Sequence, residues 1–260
     1  MKAKKSLGQN FIKNDTIINQ IVSLFCVSEK DLILEIGPGR GALTQKLVNL
    51  PAQVVCIEID TDMKSILSKY ETEKCHIIYD DILNVNIKEM LANYKYDNLF
   101  IIGNLPYYIT SPILEHLIMS DVNAEQMVFM VQKEVAERYS AQPGTKDFGY
   151  MSLFLDFYYQ VSSEIFVSRV DFNPVPKVDS MVIKLTKKNS RSSVNEKDYF
   201  KFLKDAFKMK RKTLKNNISS YDWNKIKIVL ERHGLNDSVR AEAISQEIFI
   251  EIFKKISKDQ

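Results

Sequence analysis

Cysteine is scarce in this chain: Cys26, Cys56 and Cys75 are the only three among 260 residues. Their odd number and spacings of about 20 to 30 residues fit neither an even disulfide framework nor the close pairs of a zinc site. We read them as small buried apolar residues. Histidine is equally sparse, and His76, His116 and His233 form no cluster that points to a metal or to a nucleophile paired with a base. No metal is expected. Long hydrophobic runs are also missing, since nothing approaches the roughly 18 uninterrupted apolar residues that a membrane span needs. The stretch from Met1 to Phe11 is basic but lacks the apolar core and small-residue cleavage site of a secretory signal. These absences lead to the expectation of a cytoplasmic protein without a membrane partner. Internal repeats and extended low-complexity tracts are absent as well.

What is present is ordinary in bulk and uneven in distribution. With 45% hydrophobic and 27% charged residues the chain has a globular composition, and its length lies near the upper end of what one core supports. One main domain with a small appendage is expected, as a monomer. The net charge of +3 hides a strong asymmetry. Residues 184 to 215 hold twelve Lys and Arg against Glu196, Asp198 and Asp205, a local +9, while the rest of the chain stands at −6. Clustered cations gain affinity for a polyanion by releasing its condensed counterions, so this segment reads as a phosphate-binding face. A solvated helix surface is the plain alternative.

Apolar runs of strand character at 32–36, 54–59, 76–79, 99–102 and 127–131 alternate with helical periodicity near 13–25, 42–49, 62–69, 111–119 and 133–139. Such alternation predicts an α/β fold, a doubly wound and mainly parallel sheet with helices on both faces. Two more strand candidates, 165–168 and 181–185, are joined through Phe172-Asn173-Pro174-Val175-Pro176 and read as a terminal hairpin-type pair. Beyond Thr186 a polar, basic run leads into sequence with helical patterns only. The boundary is placed there, giving a main domain over 1–188 and a small all-helical domain over 189–260. Within the latter, 199–215 is a helix candidate.

The first strand ends in Leu34-Glu35-Ile36-Gly37-Pro38-Gly39-Arg40-Gly41, a glycine-rich turn that opens a helix. Glycine lets the backbone approach a ligand closely and take positive φ where the turn needs it. The spacing is G-x-G-x-G, whereas a dinucleotide fold prefers G-x-G-x-x-G. A tight structural turn is the alternative. The second strand ends in Glu58, a carboxylate able to accept both hydroxyls of a ribose, whether from NAD or from S-adenosylmethionine. After the third, Asp81 of Asp80-Asp81-Ile82-Leu83 is placed to accept from an adenine amino group. Three strand ends thus converge on one nucleoside-shaped ligand.

The segment after the fourth strand, Gly103-Asn104-Leu105-Pro106-Tyr107-Tyr108, resembles the N-L-P-Y motif of the rRNA adenine N6-methyltransferases. An adenine amino nitrogen is a poor nucleophile because its lone pair is delocalised into the ring. The resemblance implies that Asn104 Oδ1 and the Leu105 carbonyl accept its two N–H bonds and draw the nitrogen toward tetrahedral geometry. Pro106 would stiffen the turn, and Tyr107 would offer a face to an extruded base. Catalysis by position and polarity needs no tuned general base, in keeping with the few histidines.

Further segments narrow the resemblance to the KsgA family of small-subunit rRNA adenine dimethyltransferases, over nearly the whole chain. Lys5-Ser6-Leu7-Gly8-Gln9-Asn10-Phe11 is similar to the family's N-terminal signature, and Pro143-Gly144-Thr145-Lys146-Asp147-Phe148-Gly149 to its P-G-x-K-x-Y/F-G loop. Phe172-Asn173-Pro174-Val175-Pro176-Lys177-Val178-Asp179-Ser180 is similar to its F-x-P-x-P-K-V-x-S segment. Phe207-Lys208-Met209-Lys210-Arg211-Lys212-Thr213-Leu214 resembles F-x-x-R-R-K-x-L, and Arg240-Ala241-Glu242 the R-A-E signature. These last two favour this family over the large-subunit enzymes of erythromycin resistance. Lys210 stands where the family usually has arginine, which keeps the charge and loses the planar fork.

The resemblance implies a Rossmann-like methyltransferase sheet with S-adenosylmethionine as cofactor. Gln9, Asn10, Phe11, Glu35, Gly37, Gly39, Glu58, Asp81, Ile82 and Asn104 would bind it. Asn104, Leu105, Pro106 and Tyr107 would carry catalysis, with Phe172 packing against the flipped adenine opposite Tyr107; ordinary core is the alternative for Phe172. Lys208, Lys210, Arg211, Lys212 and Lys215 would contact RNA. The implied substrate is a pair of adjacent adenosines near the 3′ end of small-subunit (16S) rRNA, each dimethylated at N6 during ribosome biogenesis. An NAD dehydrogenase leaves the Asn104 motif unexplained, and a binding factor that has lost the chemistry leaves Glu58, Asp81 and Asn104 unexplained.

Overall fold

The computed structural model describes Lys4, residues 7–190 and residues 192–257. Lys5 and Ser6 of the N-terminal signature, and Arg191 of the basic segment, lie outside the described residues. The elements run in the order β1 (Phe11–Ile12), α1 (Asp15–Val22), β2 (Leu32–Ile36), α2 (Thr44–Leu47), β3 (Gln53–Glu58), α3 (Lys64–Leu67), β4 (Cys75–Tyr79), α4 (Ile87–Leu91), β5 (Leu99–Asn104) and α5 (Thr110–Met119). They continue as β6 (Ala124–Gln132), α6 (Lys133–Tyr139), α7 (Tyr150–Tyr158), β7 (Tyr159–Val167), β8 (Phe172–Asn173), β9 (Ser180–Lys187), α8 (Glu196–Ala206), α9 (Leu214–Asn217), α10 (Trp223–Arg232) and α11 (Gln246–Ser257).

Seven strands form one sheet in the order β4-β3-β2-β5-β6-β9-β7. The run from β4 to β6 is parallel, and β9 is antiparallel to β6. Covered on both faces, a central parallel strand reads as a continuous apolar run. β2, Leu-Ile-Leu-Glu-Ile, is buried at every position. From β2 the chain winds outward through β3 to β4, then returns to the other side of β2 with β5 and β6. This reversal between β2 and β5 opens a crevice at the carboxyl ends of the strands, the usual ligand position in such folds. The Rossmann-like sheet expected from the sequence is therefore present.

Two compact units divide the chain: one holds the described residues up to Ala136 together with Ser162–Lys187, the other Glu137–Val161 and the described residues from Lys188 onward. The second unit thus takes in residues 137–161 as well as the stretch beyond 188. Its α7, Tyr-Met-Ser-Leu-Phe-Leu-Asp-Phe-Tyr, has no counterpart among the helices expected from periodicity. The reason is that six of its nine residues are buried, so no polar face marks a helical period. Aromatic packing fills this unit, with Phe154 and Phe200 ring centroids 5.0 Å apart and Tyr199 and Phe253 5.3 Å apart.

Of the three cysteines expected to be buried, Cys56 and Cys75 are, whereas Cys26 is exposed. Three helix expectations are modified. Only Thr44–Leu47 of 42–49 is α-helical, and 62–69 breaks into α3 flanked by two 3-10 turns. The helix expected over 199–215 starts at Glu196, capped by the Asn195 side chain, and ends at Ala206. Continuing it would align Lys204, Lys208 and Lys212 at four-residue steps on one face, where like charges repel. Asn217 instead closes the end: its Nδ2 donates to the carbonyls of Ala206 at 2.7 Å and Met209 at 3.3 Å, and its Oδ1 accepts from the Met209 N–H at 3.1 Å.

Candidate active site

The crevice at the switch point is a cleft open to solvent, lined by Gln9, Asn10, Phe11, Glu35, Gly37, Gly39, Glu58, Asn104, Leu105, Pro106 and Tyr107 among others. The glycine turn after β2 requires its residue type twice over at Gly39. Its φ is 55°, in the left-handed region, and a Cβ there would lie 2.8 Å from the Phe11 ring. That ring lies beneath the Arg40 guanidinium, 4.4 Å from its centroid.

Two buried carboxylates lie beneath the turn. Glu58, at the end of β3, is 3% exposed. Its Oε2 accepts the Gly39 N–H at 2.8 Å and its Oε1 the Asp60 N–H at 2.8 Å. Burial pushes its carboxyl above the usual range, against the pull of these hydrogen bonds. Glu35, in β2, accepts from Thr44 Oγ1 at 2.7 Å and from Cys56 Sγ at 3.5 Å. Complete burial pushes its carboxyl up to about 7, again opposed by its hydrogen bonds.

An N-terminal strap is tied to the loop after β3. Asp60 Oδ2 accepts from Gln9 Nε2 at 2.7 Å, and Oδ1 from Lys4 Nζ at 2.6 Å; Lys4 also meets Asp62 at 2.6 Å. Burial would raise the Asp60 carboxyl, but the donors Lys4 and Gln9 outweigh it and hold the group below the usual range. Downstream, β1 pairs with β8, placing Ile12 opposite Phe172.

At the end of β5, Gly103 lets the strand lie close to β2, since a Cβ would fall 2.6 Å from the Ile36 carbonyl. The next residue, Asn104, donates from Nδ2 to the Asn10 carbonyl at 2.7 Å. With its amide nitrogen bonded to the strap, Oδ1 is the acceptor end of the Asn104 amide. The Leu105 N–H donates to the Met130 carbonyl at 3.2 Å. Half-buried Tyr107 places its hydroxyl 2.6 Å from Oγ of Ser180, a fully buried residue of β9. Burial raises the pKa of that phenol.

Not every expected site residue reaches the cleft. Phe172 is fully buried within the hydrophobic core and does not line it. Asp81 and Ile82 also lie outside its lining; Asp81 Oδ1 accepts the Leu83 N–H at 3.0 Å, and Ile82 is buried. In the helical unit, Lys208, Lys210, Arg211 and Lys212 project from an exposed turn between α8 and α9. Lys215 stands on α9, paired with Asp237 at 3.4 Å and 5.4 Å from the Trp223 ring. Ser180, Asp60, Lys4 and Asn217 make bonds that no sequence motif assigned to them. Ser180 closes the proline-rich segment and Asp60 follows Glu58 by two residues, which are the only local signals they give.

A glycine turn at the switch point, buried acids beneath it and the Asn104 motif at the end of β5 define the class: a Rossmann-like methyltransferase. The chain belongs to the ribosomal RNA adenine dimethylase family, which matches residues 1–258. It is 39% identical to the ribosomal RNA small subunit methyltransferase A of Mycoplasma capricolum subsp. capricolum over 261 residues, 98% of each chain. It is 40% identical to the protein of the same name from Streptococcus sanguinis, over 95% of this chain and 89% of the other. Among solved structures, a dimethyladenosine transferase from Plasmodium falciparum superposes with a TM-score of 0.79 at 26% identity, over 95% of this chain and 98% of that one. The 23S rRNA methyltransferase ErmE shares the fold, with a TM-score of 0.71 at 22% identity over 96% of this chain and all of the other.

Proposed function

We propose that the chain transfers methyl groups from S-adenosylmethionine to N6 of two adjacent adenosines near the 3′ end of 16S rRNA, giving N6,N6-dimethyladenosine in the maturing small subunit. It acts as a cytoplasmic monomer; no described helix is long and apolar enough to cross a membrane. The orientation of Asn104 carries this reading. With Nδ2 held by the Asn10 carbonyl, Oδ1 is left as the amide's acceptor for an amine presented in the cleft.

The residues present fit the cofactor. A nucleoside without phosphates suits a cleft with two buried acids, Glu35 and Glu58, better than a pyrophosphate does. The Gly39 N–H, which a dinucleotide site would aim at phosphate, is taken by Glu58. Each Glu58 oxygen keeps a further lone pair for a ribose hydroxyl. Gln9, Asn10 and Phe11 form the strap over the cleft, while Asp81 and Ile82, outside its lining, are assigned to the adenine end by the family resemblance alone. When bound, S-adenosylmethionine supplies an electrophilic methyl carbon.

The chain's own groups do the rest. Asn104 Oδ1 and the Leu105 carbonyl accept the two amino hydrogens and localise the nitrogen lone pair. Pro106 restricts the turn, and Tyr107, anchored by Ser180, gives the extruded base a surface to stack on. Phe172 acts from behind, through the β1–β8 pairing that seats the strap. The exposed turn bearing Lys208, Lys210, Arg211 and Lys212, with Lys215, contacts rRNA phosphates.

Transfer of tritiated methyl groups to isolated small subunits tests this. Asn104→Ala is expected to lower kcat by roughly 100- to 1,000-fold, with a much smaller loss of cofactor affinity from the untied strap. A matched collapse of cofactor affinity would move Asn104 to the cofactor's side of the cleft. Transfer to large subunits in preference to small ones would replace the substrate.

A further inference from the structure

We infer that Tyr108 is a stacking subsite for the unpaired nucleobase next to the target adenosine, an assignment that rests on the function proposed above. Tyr107 and Tyr108 are consecutive, with Cα atoms about 3.8 Å apart, yet the structure treats them in opposite ways. Tyr107 lines the cleft and is bonded to Ser180. Tyr108 is outside the lining and 60% exposed, the most exposed of the large apolar side chains that stand in solvent among the described residues.

No hydrogen bond of the local turn needs a ring at this position. The turn is closed by the Ile109 N–H and Thr110 Oγ1, both donating to the Pro106 carbonyl at 3.2 Å, and no atom of the Tyr108 side chain takes part. The ring is nonetheless seated. One edge packs on Gly8, where a Cβ would approach Cε1 and Cδ1 at 3.0 and 3.1 Å. Gly8 has a φ of 60°, and its carbonyl accepts from Asn10 Nδ2 at 3.1 Å, so the seat belongs to the strap. Gly8, Pro106 and Tyr107 all line the cleft, which places the Tyr108 ring at its rim. A ring already ordered along one edge loses little side-chain entropy when a flat partner covers it.

The substrate class supplies that partner. Extruding one adenine unstacks it from its neighbours and leaves the next base with a face open to water. When two adjacent adenosines are both modified, the waiting one lies a single nucleotide from the cleft. Stacking on Tyr108 recovers part of the unstacking cost without reading sequence, because every base has a π-face.

The experiment measures methyl transfer to isolated small subunits by the unsubstituted enzyme and by Tyr108→Ala, Tyr108→Phe and Tyr108→Trp. It records KM for the subunit and kcat separately, and counts by mass spectrometry the particles with one or both adenosines modified. Tyr108→Ala is expected to raise KM about 5- to 100-fold and to enrich singly modified particles, with cofactor affinity and melting temperature unchanged. Phe and Trp are expected to restore most of the KM. The subsite is overturned if Ala leaves KM within about twofold of the unsubstituted enzyme, or if Phe and Trp are as impaired as Ala. An unsubstituted enzyme that leaves small-subunit adenosines unmodified would overturn the proposed function and the subsite together, whereas normal transfer alongside an inert Tyr108→Ala overturns the subsite alone.

Discussion

Replacing Glu58 by alanine separates a structural role from a ligand-binding one. In the fold its two carboxylate oxygens each accept a backbone N–H at 2.8 Å, from Gly39 in the glycine turn and from Asp60 after β3. Glu58 is 3% exposed, and its truncation leaves both N–H groups facing the space it vacated beside the cleft. An orphaned buried donor costs about 1–3 kcal/mol, and two give about 2–6 kcal/mol. Burial holds the Glu58 carboxyl above its usual range, so its removal also relieves a desolvation cost that offsets part of the loss. The expected net destabilisation is about 2–4 kcal/mol, a fall in Tm of roughly 5–15 °C for a protein of this size. Glu58→Gln keeps one acceptor and sets a donor against the other N–H, so about half that fall is expected. Thermal unfolding without cofactor measures this effect. Calorimetric titration well below the transition measures the other, a loss of cofactor affinity of about tenfold to a hundredfold if the remaining lone pairs hold the ribose. An unaltered Tm for Glu58→Ala would refute the reading of this carboxylate as the clamp of the glycine turn, and an unaltered affinity would remove it from the ligand site.

Tyr107→Ala is expected to reduce transfer about 5- to 100-fold through the missing stacking surface. Tyr107→Phe and Ser180→Ala each leave one partner of the buried 2.6 Å hydrogen bond without the other, and are expected to cost an intermediate factor of about 3 to 10; a Phe variant as active as the parent would show that the anchor is idle. Glu35 has a folded-state pKa of about 7 against an ordinary 4.5, so between those values the folded chain holds a proton that the unfolded chain releases. Stability should therefore fall as pH rises through that window, by at most about 3 kcal/mol, and level off above it. Urea titrations of Glu35→Gln should lose this slope, and a parent protein equally stable at both ends of the window would contradict the burial argument. Replacing Lys208, Arg211, Lys212 and Lys215 by Ala should lower the slope of log affinity for small subunits against log salt, by at most about 0.9 for each phosphate no longer neutralised. Asn217→Ala, which unties the turn bearing three of these residues, should weaken subunit binding in the parent and add nothing in the four-fold variant; additive effects would separate the clamp from the charge.

Features that act over a few residues were legible in the order of amino acids alone. The apolar runs of β2 to β6, the glycines at 37 and 39 and the Asn104-Leu105-Pro106-Tyr107 motif are each local in the chain, and the outward-then-back winding follows from the alternation of strands and helices. The all-helical character of the described residues beyond Lys188 was legible for the same reason. Where the side chains point was settled only by packing in three dimensions. Glu58 was legible as a strand-end acid, but its turn toward the Gly39 and Asp60 amides depends on how β2 and β3 pack side by side. Gln9 meets Asp60 across 51 residues, Tyr107 meets Ser180 across 73 and Asn104 meets Asn10 across 94. No periodicity reports on separations of that length. Phe172 became core together with Ile12, its partner across the β1–β8 pair, and the basic segment left its helix because Asn217, eleven residues beyond Ala206, offered the last carbonyl a better donor than a row of mutually repelling lysines could sustain.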